Sequence, residues 1–324
     1  MGMGWYVARR IAFAFFVTFV IVSITWGLLS AAPNPEVRQA STQAALEGQN
    51  PAEARENAKE RLGLDRPAWQ RYVDYTVSIY TLDWGWSDTR SQPVIEAIFN
   101  SLYYTVQYSV PWTLLTILIG PFVGLYSAAN QYSWRDHAAT GFAFFGFAIP
   151  NFFFGIILLL VFGVQLGWIP IIYKTDVPVF SLANINQLTI PIFVLVTGSI
   201  GGIMRVSRNE AAEYVNADFV KTARAKGVSV YRLYFQHVLR PTLVPVSTSL
   251  VGQLLALFTG ASLLVEVVFG IPGLGRLLYN AVVSQDTSVV LGTTLFFTFV
   301  ATIGNLIQDI VYTVLDPRID FSER

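Results

Sequence analysis

RVSRNEAAEYVNADFVKTARAKGVSVYRLYFQHVLR, residues 205–240, carries seven cations (Arg205, Arg208, Lys221, Arg224, Lys226, Arg232 and Arg240) between two uncharged stretches, Val177–Met204 and Pro241–Val265. A helix needs about 20 apolar residues to cross roughly 30 Å of hydrocarbon, so both flanks are long enough to span a bilayer. Loops rich in Lys and Arg stay on the cytoplasmic side, which puts 205–240 inside the cell. Four further uncharged stretches occur outward from this segment: Ile11–Pro35, Ala97–Trp134, Ala138–Tyr173 and Thr287–Gln308. The second and third stretches in chain order are long, yet neither leaves room for two spans of about 17 residues with a polar turn between them. Each reads as one span with an interfacial extension. Six spans with 205–240 inside place both termini in the cytoplasm, which agrees with Arg9 and Arg10 before the first span and Arg318 and Arg324 after the last. The external connections after spans three and five carry only Lys174 and Arg276. Seven cations between 36 and 96 fall in a long external loop, where the rule has little force.

Composition agrees with a membrane protein. Of 324 residues, 53% are hydrophobic and 13% charged, against about a quarter charged in soluble domains, and the mean hydropathy is +0.50. The 21 Lys and Arg balance the 21 Asp and Glu, so no basic excess is available for a nucleic-acid backbone. The absence of cysteine excludes disulfides, thiolate metal sites, iron–sulfur ligation and a cysteine nucleophile. His137 and His237 lie among polar residues, which disfavours a histidine metal site or an intramembrane serine–histidine protease. Arg9-Arg10, the following apolar run and Ser30-Ala31-Ala32 imitate a signal peptide. The run is longer than a signal core, however, and cleavage would break the cytoplasmic parity, so the first helix is read as retained. The organisation is then an N-terminal tail with helix 1 (1–35), an external loop (36–96) and a five-helix core (97–324).

Local punctuation adds detail. Asn50-Pro51 gives an N-cap with proline in the first turn, and Gly63 a stop after Arg61-Leu62, so the external loop holds short helices that form a small amphipathic lid. No nucleotide-binding loop is present, and Gly270-Ile271-Pro272-Gly273-Leu274-Gly275 fits none. If the chain is an active transporter, its energy must come from another subunit or an ion gradient. An ion-coupled carrier would place ionisable residues at midplane, whereas Glu266 lies at the outer end of span five and Asp309 at the inner end of span six. Asn305, Gln308, Asp309 and Tyr312 form one helical stripe, a gate or contact face on one reading and interhelical hydrogen bonding on the other. The packing reading is favoured there and for Glu266. Gly120–Gly124 and Gly198–Gly202 match the small-residue spacing of close helix packing. Phe152, Phe153 and Phe154 are read as lipid-facing or packed. In the cytoplasmic segment, Asp218 reads as an N-cap, Gly227 as a stop and Ser229 as a second N-cap. That pattern describes two short helices with a sharp turn, a docking device presented from the membrane surface.

The stretch Asp218-Phe219-Val220-Lys221-Thr222-Ala223-Arg224-Ala225-Lys226-Gly227, followed by Leu239-Arg240-Pro241, resembles the coupling loop of ATP-binding-cassette importer permeases, in the form found in the dipeptide, oligopeptide and nickel permease family. The resemblance extends to Leu264 through Gly275, Asn305 through Asp309, Tyr312 through Leu315 and Asp316-Pro317-Arg318. Earlier echoes are Leu62 through Pro67, Asp83 through Ser87 and Leu166 through Pro170. They run in family order over almost the whole chain, and the long first external loop looks like that of the first of two permeases. A literal Glu210-Ala211-Ala212 is a decoy, because the loop's glycine should follow its glutamate by six residues and position 216 is Asn216. Counting back from Gly227 puts Lys221 and Thr222 at the motif's Glu and Ala and matches Ala223. Ala32-Pro33-Asn34-Pro35 stands where Pro-Gly-Asp-Pro is often seen.

The resemblance implies an all-α integral membrane protein with six transmembrane helices, the type I importer permease fold. It implies a transport subunit without an ATPase site, sited in the cell membrane beside a second permease, two cytoplasmic ATPases that bind ATP and Mg, and an extracytoplasmic solute-binding protein. Asp218 to Lys226 would enter a cleft on the ATPase, with Phe219, Lys221, Thr222, Ala223, Arg224 and Ala225 in the contact surface and Gly227 allowing the turn. ATPase closure would then drive alternating access. Gly270 to Gly275 would dip near the pathway or meet the binding protein. Peptides are the solute the resemblance suggests, with nickel complexes and oligosaccharides carried by similar permeases. The competing readings are a stand-alone ion-coupled carrier and an intramembrane enzyme.

Overall fold

In hydrocarbon each backbone amide must be satisfied within its own segment, and the apolar stretches accordingly fold as helices. The structure, a computed structural model, describes residues 3–31, 33–87, 89–259 and 262–315. Ala32, the motif Asp316-Pro317-Arg318 and Arg324 lie outside the described residues. The helices are α1 (Met3–Ala31), α2 (Pro35–Leu46), α3 (Pro51–Arg61), α4 (Ala68–Tyr80), α5 (Val94–Ala129), α6 (Trp134–Ala148), α7 (Asn151–Leu158), α8 (Leu182–Val215), α9 (Asp218–Ala225), α10 (Val230–Arg232), α11 (Arg240–Thr259), α12 (Leu263–Phe269), α13 (Leu274–Val283) and α14 (Thr287–Leu315). π-Helical turns follow α7 at Leu159–Gln165 and α10 at Leu233–Leu239. Strands β1 (Trp86–Ser87) and β2 (Gln92–Pro93) pair antiparallel. Among the described residues, stretches within Val7–Leu46, Val94–Ala129, Leu182–Val215 and Thr287–Ile310 are long and apolar enough to cross a membrane.

The third uncharged stretch is not one straight helix. It breaks at Ile149-Pro150, and the helices on either side meet at 98°. Ile149 is extended, with φ −92° and ψ 126°, the conformation a following proline ring imposes. At 15 residues, α6 rises only about 22 Å and is too short to cross alone. A second break follows α12, where Gly270 adopts φ +71° and α12 and α13 meet at 86°.

The chain divides into two units. The first comprises Met1–Asn100 and Leu277–Leu306. Here α4 lies along α1, with Tyr72 hydrogen-bonded to Ser23 at 2.7 Å and edge-on to Trp26. Asn50 accepts from Ala52 N and Pro51 opens α3, while Gly63 at φ +62° ends it, as the sequence indicates. Trp84 donates to Ile79 O at 3.0 Å and stacks on Phe299. A Cβ at Gly292 would collide with Val94. Asp286 ties the ribbon to α14: it accepts from Ser87 at 2.7 Å and Thr89 at 2.6 Å, and from Val289 N at the helix start. Burial pushes its carboxyl up, but the Thr89, Ser87 and Val289 hydrogen bonds outweigh that and hold it below the ordinary carboxylate range.

The second unit comprises Ser101–Arg276 and the described residues from Ile307 to Leu315. Glycines bring α5, α6 and α8 together. A Cβ at Gly120 would sit 2.7 Å from Ile203, one at Gly124 2.6 Å from Met204 O and one at Gly201 2.8 Å from Ala143 O. Gly120–Gly124 thus packs as expected. Of Gly198–Gly202, only Gly198 is against a neighbour, Asn151, while Gly202 has nothing within 4 Å and Gly201 takes its place. Phe152 and Phe153 are exposed, and Phe154 packs between Phe145 and Phe193. One apolar core gathers Tyr108, Trp112, Val194, Leu195, Phe269 and Ile271. A second gathers Leu125, Ala128, Ala211, Val220, Leu233 and Val238.

Candidate functional site

The uncharged stretch of α8 ends at Met204, but the helix runs on to Val215. It therefore carries the chain about three turns beyond the uncharged stretch before α9 begins. Within α9, Val220 and Ala223 are buried, 1% and 8% exposed, against Leu125, Ala128, Ala211 and Leu233. Burying Val220 contributes about 1.5 kcal/mol or more, enough to seat a helix of eight residues that would not hold its shape alone in water. The opposite face is exposed: Phe219, Lys221, Thr222, Arg224, Ala225 and Lys226. Gly227, at φ +77°, ends the helix, with Gly227 N donating to Arg224 O at 3.0 Å and Val228 N to Ala223 O at 3.2 Å. This is the left-handed stop the sequence indicates.

Four details of the 205–240 segment differ from the sequence reading. Ala223, expected in the contact surface, is instead packed into the core with Leu125, Ala128 and Ala211. Ala217, not Asp218, occupies the N-cap. Asp218 is the first helical residue, where its charge complements the helix dipole and its Oδ1 accepts from Lys221 Nζ at 2.9 Å. Ser229 sits at an N-cap position without a side-chain hydrogen bond. The second short helix is not separate, since 230–259 is helical throughout, with a π-helical turn at 233–239. The extra residue of that turn lets Leu233, Val238 and Leu239 all reach the α9 core. Glu210-Ala211-Ala212 lies inside α8, with Ala211 fully buried.

Beneath α9 a buried ion pair joins three helices. Asp136, at the start of α6, is 2% exposed. It accepts from Arg208 Nε at 2.9 Å and Nη2 at 2.8 Å, from Tyr132 N at 2.9 Å, and from Ser127 Oγ at the end of α5. Both charges lie outside the uncharged stretches. The Arg208 guanidinium holds the Asp136 carboxyl far below its ordinary range, helped against burial by Ser127 and Tyr132 N. Ser207 donates to Pro121 O at 3.0 Å, one residue from Arg208. The root of the 205–240 segment is thereby fixed to α5 and α6.

At the other end of the unit Glu266 is fully buried. Its Oε1 accepts from Thr105 at 2.9 Å and Tyr108 at 2.7 Å, and its Oε2 from Arg276 N at 2.9 Å. Thr105 in turn accepts from Leu274 N, and Tyr108 from Ser262 N. Arg276 closes the turn by donating to Gly270 O. A Cβ at Gly273 would collide with the Glu266 carboxylate. The two glycines and the carboxylate thus pin the α12–α13 hairpin onto α5. Beside it, Gln107, Tyr173, Asn184 and Gln187 form a second polar cluster. In α14, Asn305 is exposed and Gln308 and Asp309 are half-buried; the Tyr312 side chain lies outside the described residues. Among the described residues no cluster of His, Cys, Asp or Glu is built to hold a metal ion.

Sequence reading missed Asp136 as a partner of Arg208. A carboxylate two residues before an uncharged stretch, facing a loop of cations, was the available signal.

Residues 120–321 match the family described as the binding-protein-dependent transport system inner membrane component. The chain is 33% identical over 332 residues to the oligopeptide transport system permease protein AppB of Bacillus subtilis, covering 98% of this chain and all of that one. It is 28% identical over 317 residues to the oligopeptide transport system permease protein OppB of Haemophilus influenzae, with 98% and 99% covered. To the di/tripeptide transport system permease protein DppB of Pseudomonas aeruginosa it is 30% identical over 334 residues, with 97% and 98% covered.

Proposed function

The chain belongs to the family of binding-protein-dependent transport system inner membrane components, and from that premise we propose that it is one of two permease subunits of an ATP-driven importer of di- or oligopeptides. It contributes half of the pathway. The peptide assignment is supported by the names of relatives matched over nearly their full length. ATP and Mg belong to two cytoplasmic ATPase partners, and an external binding protein delivers the solute. The chain crosses the membrane six times with both termini inside. α1, α5, α8 and α14 cross directly, the bent α6–α7 pair makes the third crossing, and α11 with the α12–α13 hairpin makes the fifth. The 36–96 segment, with α2, α3 and α4, stays outside as a lid.

The observation that carries this reading is the two-faced α9. Val220 and Ala223 hold it on the permease, while Phe219, Lys221, Thr222, Arg224, Ala225 and Lys226 are left for a partner. Asp218 and Lys221 brace one another at its start, and Gly227 supplies its turn. In this role α9 enters a cleft on the ATPase. The Asp136–Arg208 pair passes its displacement to α5 and α6, so nucleotide-driven closure becomes helix rotation and alternating access. Glu266 fixes the external hairpin during that motion, and the half-buried Gln308 and Asp309 serve packing of α14 while Asn305 stays exposed.

An affinity pull-down of the tagged chain from its native membrane, with mass spectrometry of the co-purifying proteins, tests the reading. It expects two kinds of subunit, ATP-binding-cassette ATPases and a second permease. A chain that comes out alone and still transports solute in vesicles without ATP would make it a carrier.

A further inference from the structure

Between α6 and α8, where the uncharged stretch of α8 gives way to cations, lies a cleft of about 290 Å³. Its construction follows from two adjacent glycines. Gly201 lets the α6 backbone close to contact, since a Cβ there would be 2.8 Å from Ala143 O. Gly202, one residue on, faces open space with nothing within 4 Å. The helices touch at the first and part at the second. Phe144 and Phe147 form an apolar wall, 57% and 73% exposed, and Arg205, Arg208 and Asn209 form the rim. Gly202, Arg205 and Asn209 follow the i, i+3, i+7 spacing of one helix face, so the stripe on the cleft runs from bare backbone to a cation to an amide.

The two arginines are not equivalent. Arg208 is neutralised by Asp136. Arg205 is exposed and makes no hydrogen bond or ion pair among the described residues. Since Met204 is the last residue of the uncharged stretch, Arg205 stands at headgroup depth on the side that the cation-rich segment marks as cytoplasmic. That leaflet carries the anionic lipids. An uncompensated guanidinium at headgroup depth, an amide four residues along the same face and an exposed aromatic wall toward the hydrocarbon together match one phosphodiester with an acyl chain below it.

We propose that this cleft binds one anionic phospholipid of the cytoplasmic leaflet, with its phosphate on Arg205 and Asn209 and an acyl chain along Phe144 and Phe147. The proposal depends on the orientation of the chain and not on the ATPase partner or the transported solute. Native mass spectrometry of the purified full chain from micelles containing equal phosphatidylglycerol and phosphatidylcholine tests it. The wild-type chain should retain one phosphatidylglycerol in preference to phosphatidylcholine. Arg205→Gln should lower that retention about fivefold, the effect of one cation at a membrane surface, and Arg205→Lys should keep most of it. Gly202→Leu, which fills the cleft without touching a charge, should also lower it. Circular dichroism on the same samples identifies any variant that has lost its helices, and the other variant then decides. Equal retention by wild type and the folded variants would overturn the proposal. So would displacement of the lipid by millimolar inorganic phosphate, which would make the cleft a site for free anions, or loss of the lipid once the second permease is bound, which would make it a subunit interface.

Discussion

Replacing Arg208 should damage the protein more than replacing the partner it pairs with. Side-chain exposure is 3% for Asp136 and 24% for Arg208, so the carboxylate is the member of the pair that water cannot reach. Arg208→Met removes two charged donors and leaves that carboxylate with Ser127, the Tyr132 amide and a long 3.4 Å bond from Thr140 among the described residues. Breaking a buried pair by removing one partner costs about 3–5 kcal/mol. Asp136→Asn removes the charge, yet keeps an acceptor for Arg208, whose guanidinium still reaches water; a cost of about 1–3 kcal/mol is appropriate for the imperfect hydrogen bonding left behind. The double variant has no uncompensated carboxylate. It should therefore be no worse than Arg208→Met alone, a coupling energy on the order of 2 kcal/mol. Reversible unfolding of the purified chain in mixed micelles, followed by circular dichroism against increasing SDS fraction, measures all four proteins. Equal effects of the two single substitutions that add in the double would refute the reasoning.

Gly227→Val places a β-branched residue at φ +77°, a strain of about 1–2 kcal/mol; protease cleavage within 218–230 should accelerate while the transmembrane helices stay protected. Gly273→Ala drives a methyl group into the Glu266 carboxylate and toward Thr105, and Glu266→Gln puts an amide where either Arg276 N or the two hydroxyls now donate. Each should lower the thermal unfolding midpoint, the Gln variant by the equivalent of about 1–3 kcal/mol for an unsatisfied buried group, and scanning calorimetry reads the shift. Asp286 titrates below its unfolded value of about 3.9, because its hydrogen bonds favour the carboxylate. Its contribution is complete above that value, declines as pH falls through the lower folded value, and is absent below both. The unfolding midpoints of wild type and Asp286→Asn should therefore converge as pH falls through the acid range; parallel curves from neutral to acid pH would count against the Asp286 anchor.

What could be read from the chain was what depends on near neighbours. Asn50-Pro51, Gly63 and Gly227 each act within a turn of their own position, and the structure places a helix start or stop at all three. The cation-rich segment and the flanking uncharged stretches were likewise visible, since both are properties of composition over a few turns. The break at Ile149-Pro150 was available in the same local terms, but counting residues toward a membrane thickness outweighed the proline. The two buried carboxylate clusters were out of reach for a different reason. Asp136 and Arg208 are 72 residues apart, and Thr105 and Glu266 are 161 apart, so only the packing of helices brings them together. The cleft at Gly202 is of the same kind: its neighbour Gly201 meets α6 and it does not, a difference of one residue in helix phase.

The role of α9 is tested most directly by ATP hydrolysis of the assembled complex in proteoliposomes, with and without solute-loaded binding protein, comparing wild type with Arg224→Glu/Lys226→Glu. Both side chains are exposed on the face away from the permease core, so insertion and subunit recovery should be unchanged. The account predicts loss of the solute-stimulated component of hydrolysis and of transport. Normal stimulation and transport in the doubly reversed protein would contradict it.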